Sequence, residues 1–305
     1  MSFARSVMMV RPAAFGFNPE TAATNAFQRD PVASDLSLQA CREFDAAARA
    51  LADAGVDVHV FEDSPEPPRP DAVFPNNWIS THPGGRVFLY PMQAPSRRAE
   101  VRHDLVDGLS RDFTVREVID WSGEAASGRY LEGTGSLVID AARRRVFACR
   151  SPRTDPALAA AWARAMDLEL VLFAAHDAGG LPIYHTNVIV CVGAGFAACG
   201  LGRVAPGERG AVADLLAADR ELIDLDDAAI LAFAGNLLQL RGRGGAPVLA
   251  LSTTALAALR GPALRTIERH SALCPLAIPT IEVAGGGSAR CMLAEIFLAP
   301  RDAAA

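Results

Sequence analysis

One pattern recurs along this chain at a spacing of about 50 residues: short strand, short strand, helix, strand. The clearest copy reads as strands at 78–81 and 87–92 around the turn Pro83-Gly84-Gly85. A helix over 96–110 follows, with Leu105, Val106 and Leu109 inward, then a closing strand at 114–119. Further copies read as 136–139, 145–149, 156–166 and 168–173, then 187–192, 196–201, 208–218 and 221–225, then 236–240, 248–251, 254–270 and 276–283. The N-terminal part holds an incomplete copy: a strand at 7–10, a helix at 38–54 and a strand at 56–61. The missing strand is available at 291–298, so pairing of the two ends closes a ring of five modules. The modules start near Asn77, Gly133, Asn187, Asn236 and Cys291, and residues at those points converge on the ring axis. The expected fold is therefore α/β, a closed ring of five ββαβ modules, with residues 1–305 forming one domain. A doubly wound sheet also alternates strands and helices, but a parallel sheet needs only one strand per crossover.

Composition bounds the function. Hydrophobic residues make up 50% of the chain, enough to bury a sizeable core. The net charge is −6 and aromatic content 7%, and Arg143-Arg144-Arg145 reads as a solvated turn between strands. Nucleic acid is therefore not an expected partner. No apolar run of about 18 residues is present, so no membrane span is expected. The N-terminal apolar run ends at Arg11, too short for a signal peptide. Cysteines stand at 41, 149, 191, 199, 274 and 291 with no C-x-x-C pair, which excludes zinc-ribbon and thioredoxin readings. The expectation is a soluble protein of a reducing cytoplasm, acting on a small molecule without cofactor or metal. Paired cysteines and an oligomer are left open.

Chemistry-bearing side chains stand at the module starts. Asn77 lies in Asp71-Ala72-Val73-Phe74-Pro75-Asn76-Asn77-Trp78, and Glu132 in Tyr130-Leu131-Glu132-Gly133-Thr134-Gly135-Ser136. His185 and Asn187 lie in Tyr184-His185-Thr186-Asn187-Val188. Cys291 follows Gly285-Gly286-Gly287-Ser288-Ala289-Arg290, read as a flexible loop that delivers the thiol to the head of the apolar run 292–298. Each has an ordinary alternative: a turn cap for Asn76-Asn77, an exposed loop acid for Glu132, a core histidine for His185, a small buried hydrophobe for Cys291. Their conjunction at matching points of a repeat points instead to a catalytic cluster. A thiolate at Cys291 attacks a planar carbon bearing nitrogens. His185 shuttles protons to the departing amine and from incoming water. Glu132 binds substrate N–H groups and accepts a proton as the tetrahedral adduct collapses, while Asn77 and Asn187 hydrogen-bond the substrate's planar head. One motif competes: Gly193-Ala194-Gly195-Phe196-Ala197-Ala198 fits G-x-G-x-x-A. A dinucleotide fingerprint needs a helix to open there, and the glycine-rich continuation reads as a return strand.

With these residues in place the chain resembles the guanidine-modifying (pentein) superfamily of arginine deiminases, dimethylarginine dimethylaminohydrolases, succinylarginine dihydrolases and amidinotransferases. Arg11-Pro12, Phe17-Asn18-Pro19-Glu20-Thr21-Ala22 and Asn25-Ala26-Phe27-Gln28 look closest to the citrulline-utilisation hydrolase type. The resemblance implies a five-module α/β propeller and assigns the nucleophile to Cys291, the Leu-Glu-Gly acid to Glu132 and the catalytic histidine to His185. It also matches Phe74-Pro75-Asn76-Asn77 to a substrate-binding segment that includes Asn77. Arg97-Arg98-Ala99-Glu100 implies that Arg97 or Arg98 reaches the substrate's carboxylate, and Ser151-Pro152-Arg153-Thr154 makes Arg153 a second anchor. Asn18 joins the implied substrate-binding set. Deiminases usually carry aspartates where this chain has Asn77 and Asn187, and many relatives carry aspartate at Gly135. An amide cannot neutralise a guanidinium, so the departure suits a neutral ureido group, or a guanidinium hydrolysed twice through one. The expected activity is a cysteine-dependent hydrolase that cleaves C–N bonds at the guanidino or ureido carbon of arginine, citrulline or a related amino acid. It releases ammonia through an S-amidino or S-carbamoyl enzyme. The alternatives are an amidinotransferase and a non-catalytic amino-acid-binding propeller.

Overall fold

Five three-stranded sheets, one per module, make up the computed structural model, which describes residues 3–31 and 35–301. Both ends of the 1–305 span lie outside the described residues. The first module contains β1 (Ser6–Arg11), the short helix α1 (Pro19–Ala22), α2 (Leu36–Asp53) and β2 (Asp57–Glu62). The second contains β3 (Ile79–His82), β4 (Arg86–Leu89), α3 (Pro95–Arg98), α4 (His103–Asp112) and β5 (Glu117–Asp120). The third contains α5 (Gly133–Ser136), β6 (Val138–Asp140), β7 (Arg145–Arg150), α6 (Pro156–Ala165) and β8 (Glu169–Ala174). The fourth contains β9 (Val190–Val192), β10 (Phe196–Cys199), α7 (Pro206–Ala217) and β11 (Glu221–Asp224). The fifth contains α8 (Asp227–Leu231), β12 (Leu238–Arg241), β13 (Pro247–Ser252), α9 (Thr253–Ala258), α10 (Gly261–His270) and β14 (Ala272–Leu276). The chain ends with α11 (Pro279–Gly285) and β15 (Ala294–Ile296).

Every sheet has the same wiring: the first strand pairs antiparallel with the second, and the second pairs parallel with the third across a helix. In the first module the opening strand comes from the far end of the chain. β15 pairs antiparallel with β1 with Met8 opposite Ala294, and β1 pairs parallel with β2. The ring therefore closes between the termini, as the repeat predicts. The helices cover the sheets by ordinary amphipathic packing. Ala40, Phe44, Ala47 and Leu51 of α2 are buried at helical spacing. α6 opens with Asp155 accepting from the Leu158 N–H and Pro156 at its first position.

Three local expectations are corrected. The helix expected over 96–110 is split into α3 and α4 because Arg102 is extended. The helix expected over 254–270 is broken between α9 and α10, where Leu259 and Arg260 are extended and Gly261 has φ +53° ahead of Pro262. The strand expected at 276–283 lies earlier, as β14, and Pro279 opens α11 instead, at a position where its missing N–H costs nothing. The G-x-G-x-x-A segment is a hairpin turn: β9 and β10 pair antiparallel with Val192 opposite Ala197. All six cysteines are free. No helix among the described residues is long and apolar enough to cross a membrane.

Candidate active site

Four module starts are built as single helical turns: Pro75–Asn77, α5, Thr186–Val188 and Ala289–Met292. Such turns leave their first N–H and last C=O groups free of ladder pairing, and each carries its buried polar side chains toward the ring axis. The turn holding Cys291 is reached through glycines that are packed rather than loose. Gly286 ends α11 at φ +64°, and a Cβ on Gly287 would lie 2.9 Å from the Phe74 ring. The Gly286 carbonyl accepts from Tyr184 Oη at 2.7 Å and from Asn25 Nδ2 at 3.0 Å. The loop expected to be flexible is thus tied down on both sides.

Glu132 is fully buried, and its Oε2 lies 2.7 Å from His185 Nε2. Its Oε1 accepts the Gln93 N–H at 2.9 Å, and Arg153 Nη1 approaches Oε2 at 3.5 Å. Burial opposes ionisation here, but Arg153, the His185 hydrogen bond and Arg97 outweigh it and hold the carboxyl below the ordinary range. Burial pushes His185 down to about 4, against the pull of Glu132. At neutral pH the pair is a carboxylate and a neutral imidazole. An ionised carboxylate only accepts, so Nε2 carries the imidazole proton and Nδ1 keeps the lone pair for proton transfer.

Cys291 is buried, with Sγ 3.3 Å from Asn236 Nδ2 and 3.8 Å from Asn187 Nδ2. Asn236 also donates to the Asn187 carbonyl at 3.0 Å and accepts the Arg290 N–H at 3.0 Å, so one amide fixes both turns around the sulfur. Burial raises the Cys291 thiol above its ordinary value, with the Ser288 contact and Asn236 working in the other direction. The resting protein accordingly pairs a thiol with a neutral imidazole. Alkylation of Cys291 by iodoacetamide, followed by peptide mass spectrometry, is expected to speed up roughly tenfold per pH unit from 7 to 9. A plateau below pH 8 would contradict this.

Arg97 is buried and gives both faces of its guanidinium to the protein. Nε and Nη2 grip Glu100 at 2.9 and 2.7 Å, and Nη1 donates to Asn77 Oδ1 at 2.8 Å. That bond orients the Asn77 amide with Oδ1 occupied, and the buried Nδ2 is left without a partner. Asn187 Oδ1 is likewise buried and unpartnered. Asp71, also buried, accepts from Asn18 Nδ2 at 2.7 Å and lies 3.8 Å from Arg97 Nε. Burial drives its carboxyl upward against Arg97. A Cβ on Gly135 would fall 2.5 Å from Asn77 Nδ2 and 2.8 Å from His185 Nδ1. An aspartate at this position has no room unless both groups move. Gly135→Ala is expected to lower kcat/KM by roughly 10²-fold or more by displacing them. Activity within a factor of about two of the parent would contradict this placement.

Cys291, His185, Asn77, Arg97 and Arg153 line one narrow cavity of about 20 Å³ together with Asp71, Tyr184 and Thr21. Glu132 stands behind His185, and Asn187 touches the sulfur from the opposite side. Three expected substrate-binding residues do not line this cavity, and Asn187 is one of them, meeting it only through the sulfur. Arg98 is exposed, its guanidinium on the Met92 and Gln93 carbonyls at 3.3 and 3.2 Å. Asn18 caps α1, accepting the Glu20 N–H at 3.1 Å, and reaches the cavity through Asp71 and Thr21. Sequence reasoning missed Asp71, Tyr184 and Asn236 as members of the site. Only Asn236 carried a signal, its place as a module start. Among the described residues, no group of three or more His, Cys, Asp or Glu is placed to hold a metal ion.

The fold is similar to the N-terminal domain of ArgZ bound to product, an arginine dihydrolase from the ornithine–ammonia cycle in cyanobacteria. The TM-score is 0.75 at 15% identity over 96% of this chain and 98% of that one. It is similar also to AgrE in a binary complex with L-arginine, with TM-score 0.74 and 16% identity over 97% of this chain and 41% of that one. A dimethylarginine dimethylaminohydrolase adduct with 4-chloro-2-hydroxymethylpyridine matches with TM-score 0.65 and 13% identity over 96% and 100% of the two chains. The chain spans about two fifths of full-length ArgZ and AgrE, 40% and 41% respectively. At such identities these likenesses establish the fold. No curated protein sequence compared with this chain matches it. The family model for N,N dimethylarginine dimethylhydrolase, eukaryotic, matches residues 11–298, and the chain belongs to that family of hydrolases acting at guanidino C–N bonds, within the pentein superfamily.

Proposed function

We propose that residues 1–305 act as one catalytic domain, a cysteine hydrolase that works on the side-chain head of arginine and of citrulline. The observation that carries this reading is the cavity itself: a thiol, a neutral imidazole backed by a carboxylate, and the Asn77 amide with an unpartnered Nδ2, gathered around one small space. Admission of substrate requires the segment carrying Thr21 and Asn25 to part from Gly286, because the closed cavity holds little more than a water molecule. Arg153 is the better anchor for the amino-acid carboxylate. Its Nε and Nη2 are held by Thr24 and the Thr21 carbonyl, but Nη1 has only a long contact with Glu132, at 3.5 Å, whereas Arg97 is engaged by Glu100 and Asn77 through Nε, Nη2 and Nη1.

In the first round the Cys291 sulfur bonds to the guanidino carbon and gives its proton to His185 Nδ1. A bond to a terminal nitrogen breaks, and ammonia leaves with that proton. Water then adds to the thioimidate carbon, its proton passes to Nδ1, the C–S bond breaks and the ureido product is freed. A second round at the ureido carbon expels another ammonia, and hydrolysis of the thiocarbamate yields ornithine and carbon dioxide. Asn77 Nδ2 donates to the oxygen that the ureido group carries and a guanidinium lacks. Glu132 supports the imidazolium that forms at each proton transfer.

A second reading has its own observation. The matching family is described by N,N-dimethylarginine, so dimethylamine is the alternative leaving group. Incubation with arginine, citrulline and N,N-dimethylarginine separately, with amine and amino-acid products identified, decides between them. The proposal expects ornithine and ammonia from both arginine and citrulline. Turnover of dimethylarginine alone supports the second reading, and turnover only when an amine acceptor is added points to an amidinotransferase.

A further inference from the structure

A second cavity, of about 310 Å³, does not contain the nucleophile. It opens on the other side of Asn187. Ile139, Trp162, Leu168, Val190, Leu237 and Phe297 line it, so its wall is mainly apolar. Its size and character fall within the range of small-molecule sites. Inside it stand Arg290 and Glu295, paired at 3.0 Å, and the buried side chain of Asn187. At the rim Arg144 is paired with Asp167, while Arg86 donates only to the Ala165 carbonyl, at 3.0 Å, and has no carboxylate partner among the described residues. An apolar chamber with one unneutralised cation beside its mouth is complementary to an amphiphile with an anionic head.

We infer that this chamber is a second binding site, for an apolar monocarboxylate such as a medium-chain fatty acid, and that its occupancy is felt at Cys291. The hydrocarbon chain fills the space between Trp162, Val190 and Phe297, and the carboxylate pairs with Arg86. The link to the nucleophile is short. Asn187 lines the chamber and places Nδ2 3.8 Å from Cys291 Sγ, with its Oδ1 buried and without a protein partner. Arg290, also in the lining, immediately precedes Cys291 and is fixed to Asn236 through its N–H. A hydrocarbon occupant displaces water from around both groups and makes the surroundings of the sulfur less polar, which disfavours the thiolate.

Isothermal titration of the full chain with sodium decanoate tests the site, with decylammonium as the charge control. The expected result is saturable decanoate binding, about tenfold weaker in Arg86→Met and lost in Leu168→Trp, whose indole fills the chamber, with decylammonium binding at least about tenfold more weakly. Saturating decanoate should slow iodoacetamide alkylation of Cys291, read by peptide mass spectrometry, at least about threefold. Absence of decanoate binding, binding indifferent to both substitutions, equal binding of decylammonium, or an unchanged alkylation rate at saturation would each overturn the inference.

Discussion

Cys291→Ala is expected to lower kcat on every substrate the protein turns over by roughly 10⁴-fold or more, while substrate affinity stays within about threefold of the parent. Among the side chains lining the cavity, the thiolate of Cys291 is the strongest nucleophile toward an sp² carbon. His185 is held by Glu132 in the tautomer that moves protons, and the amides only orient. Removing the thiol leaves that frame intact, because the turn holding residue 291 is fixed by backbone contacts, the Arg290 N–H on Asn236 and the Cys291 N–H on Ser288 at 2.9 Å. Binding measured by calorimetry and turnover measured by ammonia release separate the two effects. Retention of full turnover by the variant would remove the nucleophile from the mechanism.

The next largest effect is on substrate choice. Asn77→Asp is expected to lower kcat/KM for citrulline by about 10²-fold and to leave that for arginine within about tenfold of the parent. Asn77 Oδ1 already accepts from Arg97, so the residue meets substrate through Nδ2. A carboxylate keeps the Arg97 contact, loses the donor and opposes the ureido oxygen, whereas it attracts a guanidinium. Arginine should then be converted largely to citrulline, with ornithine formation suppressed. Equal losses on both substrates would assign Asn77 a positioning role only.

The sequence discloses the ring because its signals are local. Strands such as β1 and β13 alternate with amphipathic helices such as α2 at a constant spacing, and the unpaired halves at the two ends are complementary. It singles out Cys291, Glu132 and His185 as candidates because they stand close to the starts of three modules, and the structure gathers them around one cavity. Elsewhere local signals compete. Ile278, Ile281 and Val283 favour a strand by type, but Pro279 can open a helix at no cost and does so in α11. Arg97 and Arg98 are adjacent on one helical turn, about 100° apart, and nothing in their order says which faces inward. Asp71 is one acid in a loop. Its burial depends on Asn18 and Thr21 from one stretch of chain and Arg97 from another, both distant in sequence. Whether the Asn77 amide presents its nitrogen or its oxygen to substrate is likewise fixed by Arg97, through a contact that spans 20 residues.

The central claim is a covalent bond between Cys291 and the substrate's head-group carbon. Mass spectrometry of protein quenched during turnover of arginine tests it most directly. The account predicts a Cys291 peptide heavier by arginine less ammonia, with the amino-acid chain still attached because a terminal nitrogen has left. A Cys291 peptide bearing the amidino group alone would mean that the internal C–N bond breaks, as in a transferase, and an unmodified Cys291 at every quench time would contradict covalent catalysis.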